Sequence, residues 1–171
     1  MAIDKKEVLT GEDALTKIRE LLKQFPIAFM VTAQDNAIVA RPIGVVGDHA
    51  AFDGSLWFIT DRRSRKVQAI QGGATTALLF QNDREGAYLH LTGRAVVVED
   101  AERLKQLYTP VQRTWFPDGL DDPHMTLLRF DASTGNYWDG HASMLRLAFA
   151  LAKSVMTGTP GASGNAGIAE I

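Results

Sequence analysis

The stretch ITDRRSRKVQAI, residues 59–70, sets four cations into five positions: Arg62, Arg63, Arg65 and Lys66. Val67 and Ile70 follow at helical spacing and Gly72-Gly73 closes the pattern, which predicts a short helix over 64–71 with the cations at its start. A helix N-terminus carries partial positive charge, so cations are unfavourable there on their own. The same turn offers unpaired backbone N–H groups. Ser64 can cap the helix and can donate to an anion, and Arg65 and Lys66 add full charges, so these groups together suit a phosphate. They equally suit a solvated basic helix face, with Arg62 and Arg63 keeping a loop in water. Local chemistry leaves both readings open.

Other candidates lie around this block. In the preceding LWFIT, Leu56, Phe58 and Thr60 share one face of a strand and Trp57 and Ile59 the other. Trp57 or Phe58 could lie near a planar ligand or simply pack. The main-chain groups at the end of such a strand could read the heteroatom edge of a ring if they face away from the ladder. Arg41-Pro42 interrupts another strand, as at an edge or bulge. Trp115, Phe116 and Trp138 each sit near a turn, which fits packing under loops or a subunit interface.

Several chemistries are disfavoured. There is no cysteine, hence no thiolate nucleophile, disulfide or Cys-ligated metal. His49, His90, His124 and His141 show none of the short metal-ligand spacings. No nucleophile elbow, dinucleotide fingerprint or P-loop is present. Glu99-Asp100 and Asp121-Asp122 read as a helix cap and a turn. A net charge of −2 argues against a nucleic-acid surface.

The elements that must position these residues follow from periodicity. The 171 residues, 46% hydrophobic, suit one domain with a full core, expected over 1–157. Thr10 and Asp13 resemble a capping box, and Leu15, Ile18, Leu22 and Phe25 form one helical stripe ended by Pro26. Strands are expected at 27–32, 38–46, 56–60, 75–81, 87–98, 125–130 and 136–138. Asp35-Asn36 and Asp53-Gly54 give turns, Gly93 a bulge, and DASTG (131–135) a link between the last two strands. Asp100 caps a helix bearing Leu104, Leu107 and Tyr108, and Pro110 breaks it. A last helix places Met144, Leu147, Ala148, Leu151 and Val155 on one face. The small, polar residues 158–171 read as a flexible tail. Hairpin signals without alternating strand–helix units point to a mainly β antiparallel barrel or sandwich. The absence of an apolar leader or spanning run leads us to expect a cytoplasmic protein.

The block ITDRRSRKVQAI resembles the T-x-x-x-S-[RK]-K-x-x-x-I signature of the pyridoxamine-phosphate-oxidase-like FMN-binding split barrels. ARPIG, FDGSLWFITDRRSRKVQAI, YLHLTGRAVVVED, TWFPDGLDDP, LLRF and NYWD extend the resemblance, in order over residues 12–157, to the general stress protein branch. The resemblance implies an α+β, mainly β fold: a six-stranded antiparallel split β-barrel (Greek key) with flanking helices. It implies a homodimer with FMN, or alternatively FAD, at each end of the interface. By position, Ser64, Arg65 and Lys66 would hold the phosphate. Trp57, Phe58, Ile59 and Thr60 would line the isoalloxazine, partly through backbone groups, with Ile59 and Thr60 closest. Arg41 and Pro42 would approach the ring, and Trp115, Phe116 and Trp138 would come from the partner subunit. Oxidases proper end in an R-x-H-[DE]-R type segment, where this chain has NYWDGHASMLRL, and the oxidase glutamine near the flavin is replaced around Tyr88. The flavin site is thus expected without the vitamin B6 site. The function implied is a flavin-dependent oxidoreductase of a small molecule, with NAD(P)H as a candidate donor; the alternative is a non-enzymatic flavin-sequestering or redox-sensing protein. A deazaflavin also carries phosphate, while haem lacks a ligand motif here.

Ser64→Ala combined with Lys66→Ala should weaken FMN binding by about 2–5 kcal/mol, the scale of lost charge-assisted hydrogen bonds. Riboflavin, which has no phosphate, should bind unchanged. Calorimetric titration with both ligands checks this; equal losses would move the phosphate elsewhere.

Overall fold

In the computed structural model of the chain, residues 7–34, 36–139 and 165–171 are described. In chain order the elements are β1 (Glu7–Thr10), α1 (Gly11–Leu22), β2 (Ile27–Gln34), β3 (Ala37–Gly44), β4 (Ser55–Asp61), α2 (Arg65–Gln71), β5 (Thr75–Asn82), β6 (Ala87–Val98), α3 (Ala101–Leu107), β7 (Met125–Asp139) and β8 (Asn165–Glu170). Short 3-10 turns lie at His49–Ala51, Pro110–Thr114 and Gly119–Asp121.

Period-two burial builds the wall. In β2, Ala28, Met30 and Thr32 are buried while Ile27 and Phe29 are exposed. In β4, Leu56, Phe58 and Thr60 are buried, with Trp57 and Ile59 on the other face. The strands run β3-β2-β5-β6-β7 with antiparallel neighbours, and β4 pairs β7. Just beyond β3, the Val46 N–H donates to the Trp57 C=O at 2.9 Å, an isolated bridge. The strands β2 to β7 therefore form a circuit joined between β3 and β4 at one point, a split barrel. Ile18, Leu22, Met30, Phe58, Leu78 and Phe130 belong to the core it encloses. No helix among the described residues is long and apolar enough to cross a membrane.

Three features depart from the sequence expectations. First, β7 runs unbroken through DASTG. Its first half pairs β4 and its second half β8, and β6 flanks both. Small polar residues suit a bent strand as well as a turn, and pairing on both edges decides between them. The ladder shifts register at Thr92/Gly93, so the expected bulge is there. Second, β8 lies inside the segment read as a flexible tail, antiparallel to β7 and parallel to β1. The sheet is thus mixed and has eight strands, six of them the barrel. Composition missed β8 because a strand between two partners needs few large side chains: Ala169 is buried, and a Cβ at Gly167 would meet the Tyr137 hydroxyl at 2.3 Å. Third, Thr10 makes no side-chain cap to α1, because left-handed Gly11 (φ 58°) turns the chain between them.

The remaining helices form as expected. α1 buries Ala14, Ile18, Leu21 and Leu22, with Leu15 at the edge of the core. Asp100 caps α3 by accepting from the Arg103 N–H at 2.8 Å. The last expected helix, with Met144 to Val155, lies outside the described residues, as does Asp35 of the first turn.

A Cβ at Gly93 would lie 2.1 Å from the Asp131 carbonyl oxygen, and backbone cannot step aside as a side chain can. Gly93→Ala should destabilise the protein by about 1–3 kcal/mol, as overpacking does. Gly44→Ala, where a Cβ meets nothing within 4 Å, should change stability by less than about 0.5 kcal/mol. Urea unfolding of the two variants tests the contrast.

Candidate functional site

The turn after β4 explains half of the crowded cations. The Asp61 carboxylate accepts from the Arg63 N–H at 2.7 Å and from its guanidinium at 3.1 and 2.7 Å. The Ser64 N–H then closes the turn on the Asp61 carbonyl at 3.0 Å. Arg62 points elsewhere: its N–H donates to the His124 carbonyl at 2.8 Å, and its guanidinium reaches the Met125 carbonyl at 3.2 Å and Glu99 at 3.5 Å. Arg62 and Arg63 are therefore turn builders. The hydrogen bond from Arg63 is the main reason that the Asp61 pKa falls to about 2.

Ser64 stands at the N-cap of α2 in extended conformation, yet its hydroxyl caps nothing. Its Oγ is buried and has no hydrogen-bond partner. An unpaired buried hydroxyl costs about 1–3 kcal/mol, so a bound polar group is a natural complement. Lys66 is half-buried two residues on. Its pKa is lowered first by burial and then by the positive charge of Arg41, with Asp61 opposing.

Arg41 comes from the other side of the split. It lies opposite buried Met30 in the β2–β3 ladder, so its side chain starts on the inner face. Its guanidinium donates to the Thr32 Oγ1 at 3.0 Å, and burial lowers its pKa. Among the described residues neither Arg41 nor Lys66 has an ion-pair partner. Two half-buried cations that repel each other, and an orphan hydroxyl two residues from one of them, thus have no carboxylate at ion-pair distance among the described residues; Asp61 acts on Lys66 only from farther away.

The β4 edge supplies the second part of the site. In an extended strand both main-chain groups of a residue point to one edge, and successive residues alternate. Since Trp57 offers its carbonyl to Val46, Ile59 directs its N–H and C=O to that same edge, where β4 has no strand partner. The side chains of β4 are otherwise engaged. Phe58 and Thr60 point into the core, and Phe58 is fully buried. The Trp57 ring is flanked by Arg103 at 5.0 Å and Arg129 at 5.9 Å. Of the expected β4 contact, the main-chain groups and the partly exposed Ile59 side chain are therefore open within one chain.

The remaining candidates divide by burial. Trp115 is 69% exposed, whereas Phe116 is 6% exposed and packs within its own chain. Trp138, 44% exposed, lies opposite Tyr88 on the outer sheet face, where Pro42, Phe29 and Leu79 align across three strands. Arg65 is exposed between Ser64 and Lys66. Sequence reading missed two features, Thr32 and the apolar outer face. For the second a signal existed: the unbroken run IAFMV in β2, since a strand meant to be covered on both faces does not alternate.

The chain matches the Pyridoxamine 5'-phosphate oxidase like family over residues 13–161. A general stress protein 26 structure from Jannaschia sp. CCS1 is 21% identical and covers 94% of this chain and 100% of its own, with a TM-score of 0.75. A Clostridium acetobutylicum protein related to general stress protein 26 of B. subtilis is 25% identical, covering 77% and 92%, with a TM-score of 0.64. The general stress FMN/FAD binding protein of Xanthomonas citri is 20% identical, covering 78% and 94%, also at 0.64. Protein bli-3 of Neurospora crassa is 25% identical over 113 residues, 61% of this chain. The chain spans about half the length of that curated relative, 54%.

The Asp61 carboxyl should titrate near pH 2, followed by carboxyl carbon NMR, and Arg63→Ala should return it toward about 3.9. A depressed carboxyl pKa stabilises the fold above its unfolded value, and that contribution fades as pH falls through the folded value. Arg63 is largely exposed and Asp61 partly so, and solvent screens the pair, so at pH 7 Arg63→Ala should cost less than about 1 kcal/mol.

Proposed function

The chain belongs to the pyridoxamine 5'-phosphate oxidase-like family, and from that premise we propose that it is a cytoplasmic FMN-binding protein of the general stress type, acting as a flavin-dependent oxidoreductase on a small molecule. The single observation that carries the ligand is the buried, unpartnered Ser64 Oγ two residues from Lys66, a cation that Arg41 repels, with neither cation at ion-pair distance from a carboxylate among the described residues. A phosphate dianion complements all three, and Arg65 adds charge at the rim. In this reading Arg41 serves the phosphate end, where it faces Lys66, and not the ring as the family resemblance suggested.

The isoalloxazine would lie along the open edge of β4. The N–H and C=O of Ile59 would read its heteroatoms, Trp57, Phe58 and Thr60 would support that backbone from the other face and the core, and Pro42 would border it. The outer face carrying Phe29, Leu79, Tyr88 and Trp138 would pair two copies as a homodimer. That pairing would bring Trp115 and Trp138 of one subunit to the flavin of the other, with Phe116 holding the Trp115 turn from beneath. A bound flavin supplies the electron-transfer chemistry, and the protein's part is to bind, orient and neutralise it. FAD is a second candidate for the same site. The sequence has NYWDGHASMLRL where oxidases proper carry the R-x-H-[DE]-R type segment, so pyridoxamine phosphate is not the substrate proposed.

The test is the visible spectrum of the purified protein, followed by reduction with NADH and NADPH. We expect a flavin band, or a thermal shift on adding FMN, and reduction by one donor with reoxidation by an acceptor. Phe29→Lys should yield a monomer by sedimentation that holds flavin less well. A colourless protein indifferent to FMN would sink the proposal; flavin binding with slow reduction by every donor would leave a sequestering protein instead of an enzyme.

A further inference from the structure

Thr32 is an odd choice for its place. It is 3% exposed, on the inner face of β2, two residues from buried Met30. Valine has the same shape, suits a strand at least as well and brings no hydroxyl to bury. The described contact that uses the hydroxyl is the one to Arg41, 3.0 Å across the β2–β3 pair. Arg41 sits opposite Met30, so the bond draws its guanidinium diagonally along the inner wall. There it stands close enough to Lys66 for the two charges to repel.

We propose that Thr32 is a positioning residue that holds Arg41 toward the Ser64–Lys66 cradle without cancelling its charge, and so sets the preference for phosphate-bearing flavins over riboflavin. The inference rests on the flavin-phosphate reading given above. The choice of acceptor is the core of the argument. A carboxylate at position 32 would bind the guanidinium more strongly, but it would neutralise the charge that the anion needs. An apolar residue would leave a long, flexible side chain to swing away from Lys66, and the site would spend part of its binding energy on ordering it. A neutral hydroxyl acceptor fixes direction, keeps the full positive charge and leaves the remaining N–H donors of the guanidinium free.

The experiment measures FMN and riboflavin affinity for Thr32→Val and Thr32→Ser, and for Thr32→Val in an Arg41→Gln background, with Ser64→Ala as the reference. Thr32→Val should weaken FMN about tenfold, the scale of one hydrogen bond to a charged group, and leave riboflavin within about twofold. Thr32→Ser, which keeps the hydroxyl, should restore the preference, and Thr32→Val should cost nothing further once Arg41 is gone. Thr32→Ala replaces the valine variant should the latter not fold. Equal losses for both flavins, or full additivity with Arg41→Gln, would overturn the proposal. The reference separates the two levels: if Ser64→Ala leaves the FMN preference intact, the phosphate reading itself falls. If Ser64→Ala lowers that preference while Thr32→Val does not, only the role of Thr32 falls.

Discussion

The site depends on a barrel that does not quite close. Between β3 and β4 there is one backbone hydrogen bond, from Val46 to Trp57, where the other neighbouring strands share full ladders. A second or third bond along that seam would consume the main-chain groups of Ile59. Leaving strand groups unpaired is a liability in most sheets, because they seek another chain or a ligand. Here the unpaired edge ends at a tight turn whose next side chains are Ser64, Arg65 and Lys66. The open edge and the proposed anion cradle are consecutive in sequence, so one local geometry delivers both.

The electrostatics around that turn separate structural charges from available ones. Four cations in five positions look alike in sequence, but their partners differ. Arg63 is paired with Asp61, and Arg62 is anchored on the Met125 carbonyl and Glu99. Lys66 and Arg41 are half-buried, repel each other and meet no carboxylate within ion-pair distance among the described residues. Taking charge out of water without a partner is costly, which is why such groups mark places where a counter-charge belongs. The neutral acceptor at Thr32 keeps this imbalance in place.

Much of the framework was legible before any coordinates. Alternation in LWFIT separated Phe58 and Thr60 from Trp57 and Ile59, and the structure keeps that division. Gly93 announced a bulge, and Asp100 a helix cap. Where reading failed, long-range pairing had overridden local composition. DASTG looks like a turn, yet β6 runs alongside it as a strand partner. Asn165–Glu170 is too small and polar to suggest a strand, yet it fits between β1 and β7 because it is small. Thr10 looked like a cap, but the positive φ of Gly11 takes the chain off that path.

By itself the sequence determined the element types and the chemical character of the candidate site. Both are written in local terms: period-two or helical burial, glycine at bends, hydroxyl and cations packed into one turn. What only the tertiary structure decided was the assignment of partners. It divided the cations into those already satisfied and those left over. It sent the Phe58 side chain to the core while freeing the Ile59 main chain, and buried Phe116 while exposing Trp115. It also joined Arg41 to Thr32 and set the charge of Arg41, from a hairpin more than twenty residues away, against that of Lys66. The physical reason is that charge compensation and burial are properties of neighbours in space, and those neighbours come from strands whose register no local window of sequence contains.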